Sequence, residues 1–185
     1  MAGVSALTLR LVITSDTHLP LRAKDLPDRL WHDIDRADVV LHAGDWVDAA
    51  TLDAFEARAA RLIAVYGNND GADLRTRLPL VARATIAGLR FAVVHETGPA
   101  VGREARSDSL YPDTDVLVFG HSHIPWDSVT PAGLRLLNPG SPTDRRRQPC
   151  YSYLTAEIAD GQLRNVNLVL LPARNTSRSS TATTT

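Results

Sequence analysis

The chain contains one cysteine, Cys150, so no intrachain disulfide can form and the fold must rest on noncovalent burial, as expected of a cytoplasmic protein. No apolar run approaches the ~20 residues that span a bilayer, and the N-terminus lacks the charged, apolar and small-residue succession of a secretory signal. A membrane partner is therefore not expected. The net charge is only −1 with histidines neutral, which supplies no field to attract nucleic acid or an anionic surface. No aromatic and basic platform for single strands is evident, and no segment repeats at a fixed period. What the 185 residues do contain, 44% hydrophobic and 22% charged, suits one globular domain able to bury its own core. That domain is expected over 1–172, with 173–185, rich in Ser, Thr and Arg and poor in apolar groups, as a disordered tail.

Leu7 to Thr14 reads as a buried strand that ends at Ser15 and Asp16, leaving Asp16 and His18 in a loop. Leu26, Leu30 and Ile34 then share one stripe at helical spacing, predicting an amphipathic helix over Leu26 to Ala37. Val39 to Leu41 is a second strand, ending in His42-Ala43-Gly44-Asp45 and followed by a helical pattern over Ala49 to Arg61. Leu62 to Tyr66 ends at Gly67-Asn68-Asn69-Asp70-Gly71, a cluster of turn formers. Val81 to Ile86 and Leu89 to Val94 read as a hairpin through Ala87-Gly88, and the second arm stops at His95. A short helix over Val101 to Tyr111 and a strand over Val116 to Phe119 lead to Gly120-His121-Ser122-His123. The later strands, Trp126 to Thr130, Leu134 to Leu137, Tyr151 to Ile158 and Leu163 to Leu170, read as antiparallel and structural. The order of elements predicts an α/β fold, with strand ends repeatedly carrying Asp, Asn or His where open α/β sheets bind ligands.

Asp16, His18, Asp45, Asn68, His95, His121 and His123 offer carboxylate, amide and imidazole donors and no thiolate, a set for a hard or borderline divalent ion. They exceed the needs of one tetrahedral ion. Two ions sharing one carboxylate would each receive four protein ligands, and a bridging carboxylate offsets the repulsion of dications roughly 3.5 to 4 Å apart. Spacing does not say which residue bridges.

Asp16-Thr17-His18, Gly44-Asp45-Trp46-Val47-Asp48, Gly67-Asn68-Asn69-Asp70, His95 and Gly120-His121-Ser122-His123 resemble, in order and spacing, the motifs of calcineurin-like metallophosphoesterases. The resemblance is to the small, uncapped bacterial and archaeal phosphodiesterase branch, and Asn138-Pro139-Gly140-Ser141 is similar to a segment that branch carries after its last motif. It implies a four-layer αββα sandwich of two mixed β-sheets flanked by helices. It also implies Asp16, His18, Asp45 and His123 on one ion and Asp45, Asn68, His95 and His121 on the other, with Asp45 as the bridge. Manganese is the expected ion, nickel, iron, cobalt and zinc being compatible with the same donors. The reaction it implies is hydrolysis of a small phosphate ester, most simply a diester, by a metal-bridging hydroxide.

Two positions depart from the resemblance. Many relatives place His after the ligand Asn as a general acid, where this chain has Asn69, and the usual Gly after His95 is Glu96. The carboxylate of Glu96 could point away, tune the second ion or obstruct part of the pocket. Asn69 and Arg145, the latter in the Arg145-Arg146-Arg147 run, are the candidates for substrate contact. Asp48 and Asp70 are expected to brace loops, while His42 reads either as an inert core histidine or as a support for a ligating carboxylate. A competing function is a protein-binding scaffold, since the retromer complex contains a subunit with this fold, and a third is a phosphomonoesterase or nucleotide hydrolase. Composition neither demands nor excludes a homo-oligomer.

Overall fold

The computed structural model describes residues 8–172, so the tail expected at 173–185 lies outside the described residues. The elements run β1 (Leu9–Thr14), α1 (Asp28–Arg36), β2 (Val39–His42), α2 (Ala49–Arg58), β3 (Leu62–Ala64), α3 (Ala72–Arg77), β4 (Val81–Ile86) and β5 (Leu89–Val94). They continue with α4 (Arg103–Leu110), β6 (Val116–Val118), β7 (Trp126–Val129), β8 (Arg135–Asn138), β9 (Tyr151–Ala159) and β10 (Gln162–Leu171). One five-stranded sheet has the order β10-β9-β1-β2-β3 and the other β4-β5-β6-β8-β7. Both are mixed, as expected of an αββα sandwich.

Strand alternation explains the layers. On β1, Leu11 and Ile13 point into a core between the sheets, where they join Leu41, Val65, Phe91, Val93, Val118 and Leu137. Val12 points the other way, into a second core with Leu30 and Ile34 of α1 and Leu52 and Phe55 of α2. The apolar stripe of α1 thus covers the outer face of the first sheet. On the second sheet, Ala92, Val94, Leu117 and Leu136 form a third, smaller outer core with Phe119 and Leu134. Both faces of these strands are buried, which is why their sequences are continuously apolar.

Two expectations need correction. The strand expected at 134–137 is antiparallel to β7 but also runs parallel to β6, pairing Leu117 with Leu136. A strand has two edges, and local sequence announced only the hairpin edge. The six-residue α3 was not anticipated, because it buries only Leu74 and so shows no apolar period. The last hairpin, β9 and β10, joins the first sheet through antiparallel pairing of β9 with β1, placing Leu9 opposite Ile158.

Leu41 is fully buried between the sheets. Leu41→Ala should lower the unfolding free energy by about 3 kcal/mol, measured by urea denaturation.

Candidate metal centre

Strands β1, β2, β3, β5, β6 and β8 all run in register with a parallel neighbour, so their carboxyl ends open on one edge of the sandwich. The loops leaving the first five carry Asp16 and His18, Asp45, Asn68, His95, and His121 and His123, in that order. All of the ligand residues expected from sequence converge there.

The donors form two groups. In the first, His18 Nε2 lies 3.2 Å from His123 Nε2, and His123 Nε2 lies 3.3 Å from Asp16 Oδ1. In the second, Asn68 Oδ1 is 2.9 Å from both His95 Nε2 and His121 Nδ1. One atom belongs to both: Asp45 Oδ2 is 3.5 Å from His18 Nε2 and 3.3 Å from His95 Nε2. An ion with tetrahedral bonds of 2.0 to 2.1 Å separates its ligand atoms by about 3.3 Å. These spacings and donor types therefore fit divalent cations.

Imidazole orientation supports the same assignment. His95 Nδ1 donates to the Ala43 carbonyl at 2.7 Å and His123 Nδ1 to the Asp144 carbonyl at 2.5 Å, which turns each Nε2 lone pair inward. Burial alone would depress the His95 imidazole, yet Asp45, Asp16 and the Ala43 carbonyl push it up to about 9. Burial likewise opposes ionisation of Asp45, but His95 and the Asn69 N–H groups hold its carboxyl below the usual carboxylate range. His18 is held below its ordinary value because burial outweighs Asp45 and Asp16, and neighbouring His123 adds to the depression. The field that draws a proton to His95 also draws a cation, which competes with that proton.

The loops are strained into place. Asp16, His18, Asp45, His121 and His123 all have positive φ, between 43° and 68°, and Val47 lies at 78°. Such conformations cost on the order of 1 kcal/mol each and persist only when neighbours over-determine them. For the Asp45 loop the determinant is Asp70, whose carboxylate accepts from the N–H groups of Asp45, Trp46, Val47 and Gly67 at 2.7 to 3.2 Å. A Cβ at Gly67 would come within 2.1 Å of Asp45 Oδ1, and one at Gly44 within 2.8 Å of Gly67 N. The two loops can meet only as glycine against glycine.

A family model described as the calcineurin-like phosphoesterase superfamily domain matches residues 9–161. The chain belongs to this superfamily. It is 32% identical over 154 residues to a probable metallophosphoesterase of Methanocaldococcus jannaschii, covering 83% of this chain and 78% of that one. A phosphodiesterase of the same organism is 30% identical over 128 residues, covering 62% and 74% respectively. Vps29 from Entamoeba histolytica, solved in complex with zinc, shares the fold with a TM-score of 0.68 at 21% identity over 88% of this chain and 99% of that one.

The structure resolves the supporting residues of this calcineurin-like centre. His42 is fully buried and kept neutral by that burial; its Nδ1 accepts from Gly44 N at 3.1 Å, its Nε2 faces Thr17 Oγ1 at 3.3 Å, and its ring stacks on Trp46. It supports the Asp45 loop rather than filling core space inertly. Asp48 caps α2 through Ala50 N, and Asp70 braces without belonging to either donor group. Asn69 is turned onto Asp45, its backbone and side-chain N–H groups donating to the two carboxylate oxygens at 2.9 and 2.7 Å. Arg145 donates to the Gln148 carbonyl at 2.6 Å, closing its own loop.

The segment Asn138 to Asp144, whose first four residues carry part of the resemblance, supplies supports whose partners local sequence does not specify. Ser141 Oγ and Thr143 Oγ1 donate to backbone carbonyls of the Asp16 loop, and Asn138 Nδ2 donates to the Gly120 carbonyl. These contacts follow from the parallel placement of β8, and the Asp144 carbonyl that orients His123 comes from the same segment. Removing Asp70 would leave its four N–H partners without their acceptor. Asp70→Ala should therefore cost about 3 kcal/mol of stability in chemical denaturation, with reduced metal retention by elemental analysis.

Proposed function

We propose that this member of the superfamily is a metal-dependent phosphodiesterase with two divalent ions, manganese being the expected metal. Asp45 Oδ2 supports the reading most directly, because this one oxygen closes both donor groups. Asp16, His18, Asp45 and His123 would hold one ion, and Asp45, Asn68, His95 and His121 the other. When bound, the ions supply Lewis acidity, lowering the pKa of coordinated water and offsetting charge that develops on phosphoryl oxygens.

The protein's own contribution is positional. The carbonyls of Ala43 and Asp144 fix two imidazoles in the ligating tautomer, and Asn69 with Asp70 fixes the bridge. The first group is buried, whereas Asn68 and His121 of the second are exposed, so substrate approaches from the second. The diester preference is supported by the resemblance to the archaeal phosphodiesterase.

Wild type reconstituted with manganese should retain two equivalents after dialysis and hydrolyse bis-p-nitrophenyl phosphate. Asp45→Ala should retain less metal and lose more than about 100-fold in kcat/KM. Metal bound at stoichiometry with no hydrolysis of any phosphate ester would favour the scaffold.

Asn69 is committed to Asp45, and its amide is too weak an acid to protonate a departing alkoxide at neutral pH. Rates across aryl phosphodiesters should accordingly rise steeply as the leaving group becomes more acidic. A flat dependence with chemistry rate-limiting would show that another group serves as the acid.

A further inference from the structure

Glu96 follows a ligand residue, its carboxylate lies close to the imidazoles of His95 and His121, and no Lys or Arg pairs with it among the described residues. Its Oε1 lies 3.5 Å from His121 Nδ1, the one ion pair it makes among the described residues, and both side chains are half exposed. Two grooves meet at this residue. One, of about 370 Å³, reaches from Asn68 and His95 along Tyr66, Leu80 and Tyr111. The other, of about 390 Å³, reaches from His121 along Pro99, Ile124 and Trp126. Each is mostly apolar, with one guanidinium in its wall, Arg75 in the first and Arg103 in the second, each donating to a protein group, and each is large enough for one organic group the size of an aryl ring or a nucleoside.

We propose that Glu96 is a specificity-determining residue, which selects monoanionic diesters, with one arm in each groove, over dianionic monoesters. The inference rests on the phosphoesterase reading. A diester held at the metal centre carries one negative charge and two organic arms, matching the two exits on either side of Glu96. A monoester carries close to two negative charges at neutral pH, and one of its non-bridging oxygens must take the place of an arm beside the carboxylate. The repulsion there is screened by solvent but not abolished, since the pair would lie within a Debye length and partly inside the cleft.

The test uses Glu96→Gln, which keeps size and removes charge. Manganese-loaded wild type and variant are compared on bis-p-nitrophenyl phosphate and p-nitrophenyl phosphate, with metal content and the Kd for inorganic phosphate measured in parallel. The variant should raise the monoester-to-diester ratio of kcat/KM about tenfold, chiefly through a lower monoester KM, and bind inorganic phosphate about tenfold more tightly with unchanged metal content. An unchanged ratio and unchanged phosphate affinity would overturn the proposal. Loss of metal from the variant would overturn it too, by making the carboxylate a ligand. If wild type binds metal but hydrolyses neither ester, the phosphoesterase reading fails, and phosphate affinity alone then decides whether Glu96 repels dianions.

Discussion

The Asp70 carboxylate, closed over four backbone N–H groups, is the contact on which the metal centre depends. It ties the loop after β2 to the loop after β3, and those loops approach so closely that only glycine fits at 44 and 67. Asp45 is thereby presented in a left-handed conformation that an unsupported loop would abandon. With Asp45 in place, its single Oδ2 faces imidazoles from two separate directions, and the donor groups become one centre. A residue with no inward-facing role decides where the functional carboxylate stands.

Around that clasp the protein accumulates arrangements that folding alone disfavours. Carboxylates and imidazoles are gathered in a buried region, and several of the candidate donors occupy strained backbone conformations. The interleaved cores on either side of the first sheet provide the opposing stabilisation, since β1 and β2 bury apolar side chains on both faces. The rigid part of the molecule is thus the part that delivers the loops, and the strain sits at their tips. Such a division holds the candidate donor atoms at spacings that suit a divalent cation.

Much of this was legible in the sequence. Apolar runs stopping at Asp, Asn or His located the strands and the donor residues together, because parallel strands buried on both faces have no alternation to obscure their ends. The order of Asp16, His18, Asp45, Asn68, His95, His121 and His123 identified the family. What could not be read was whatever depends on a second partner. The parallel edge of β8 left no local trace, and although Ser141 lies in a segment that resembles the family, nothing local named the loops that Ser141, Thr143 and the Asp144 carbonyl support. Helix α3 was missed for want of a buried face, and the turn of Asn69 onto Asp45 depends on tertiary proximity that spacing cannot express.

The pairing of β9 with β1 carries a consequence for the order of events in the cell. Strand β1 lies inside its sheet, between β2 and β9, and its loop is held by Ser141 and Thr143. Ser141 and Thr143 lie 125 and 126 residues beyond the carbonyls they hold. During synthesis the segment bearing Asp16 and His18 leaves the ribosome long before its supports do, so the centre matures only when translation of this domain is nearly finished. Nascent chains would be poor scavengers of metal, and ion selection would fall to the finished protein and the ions then available to it.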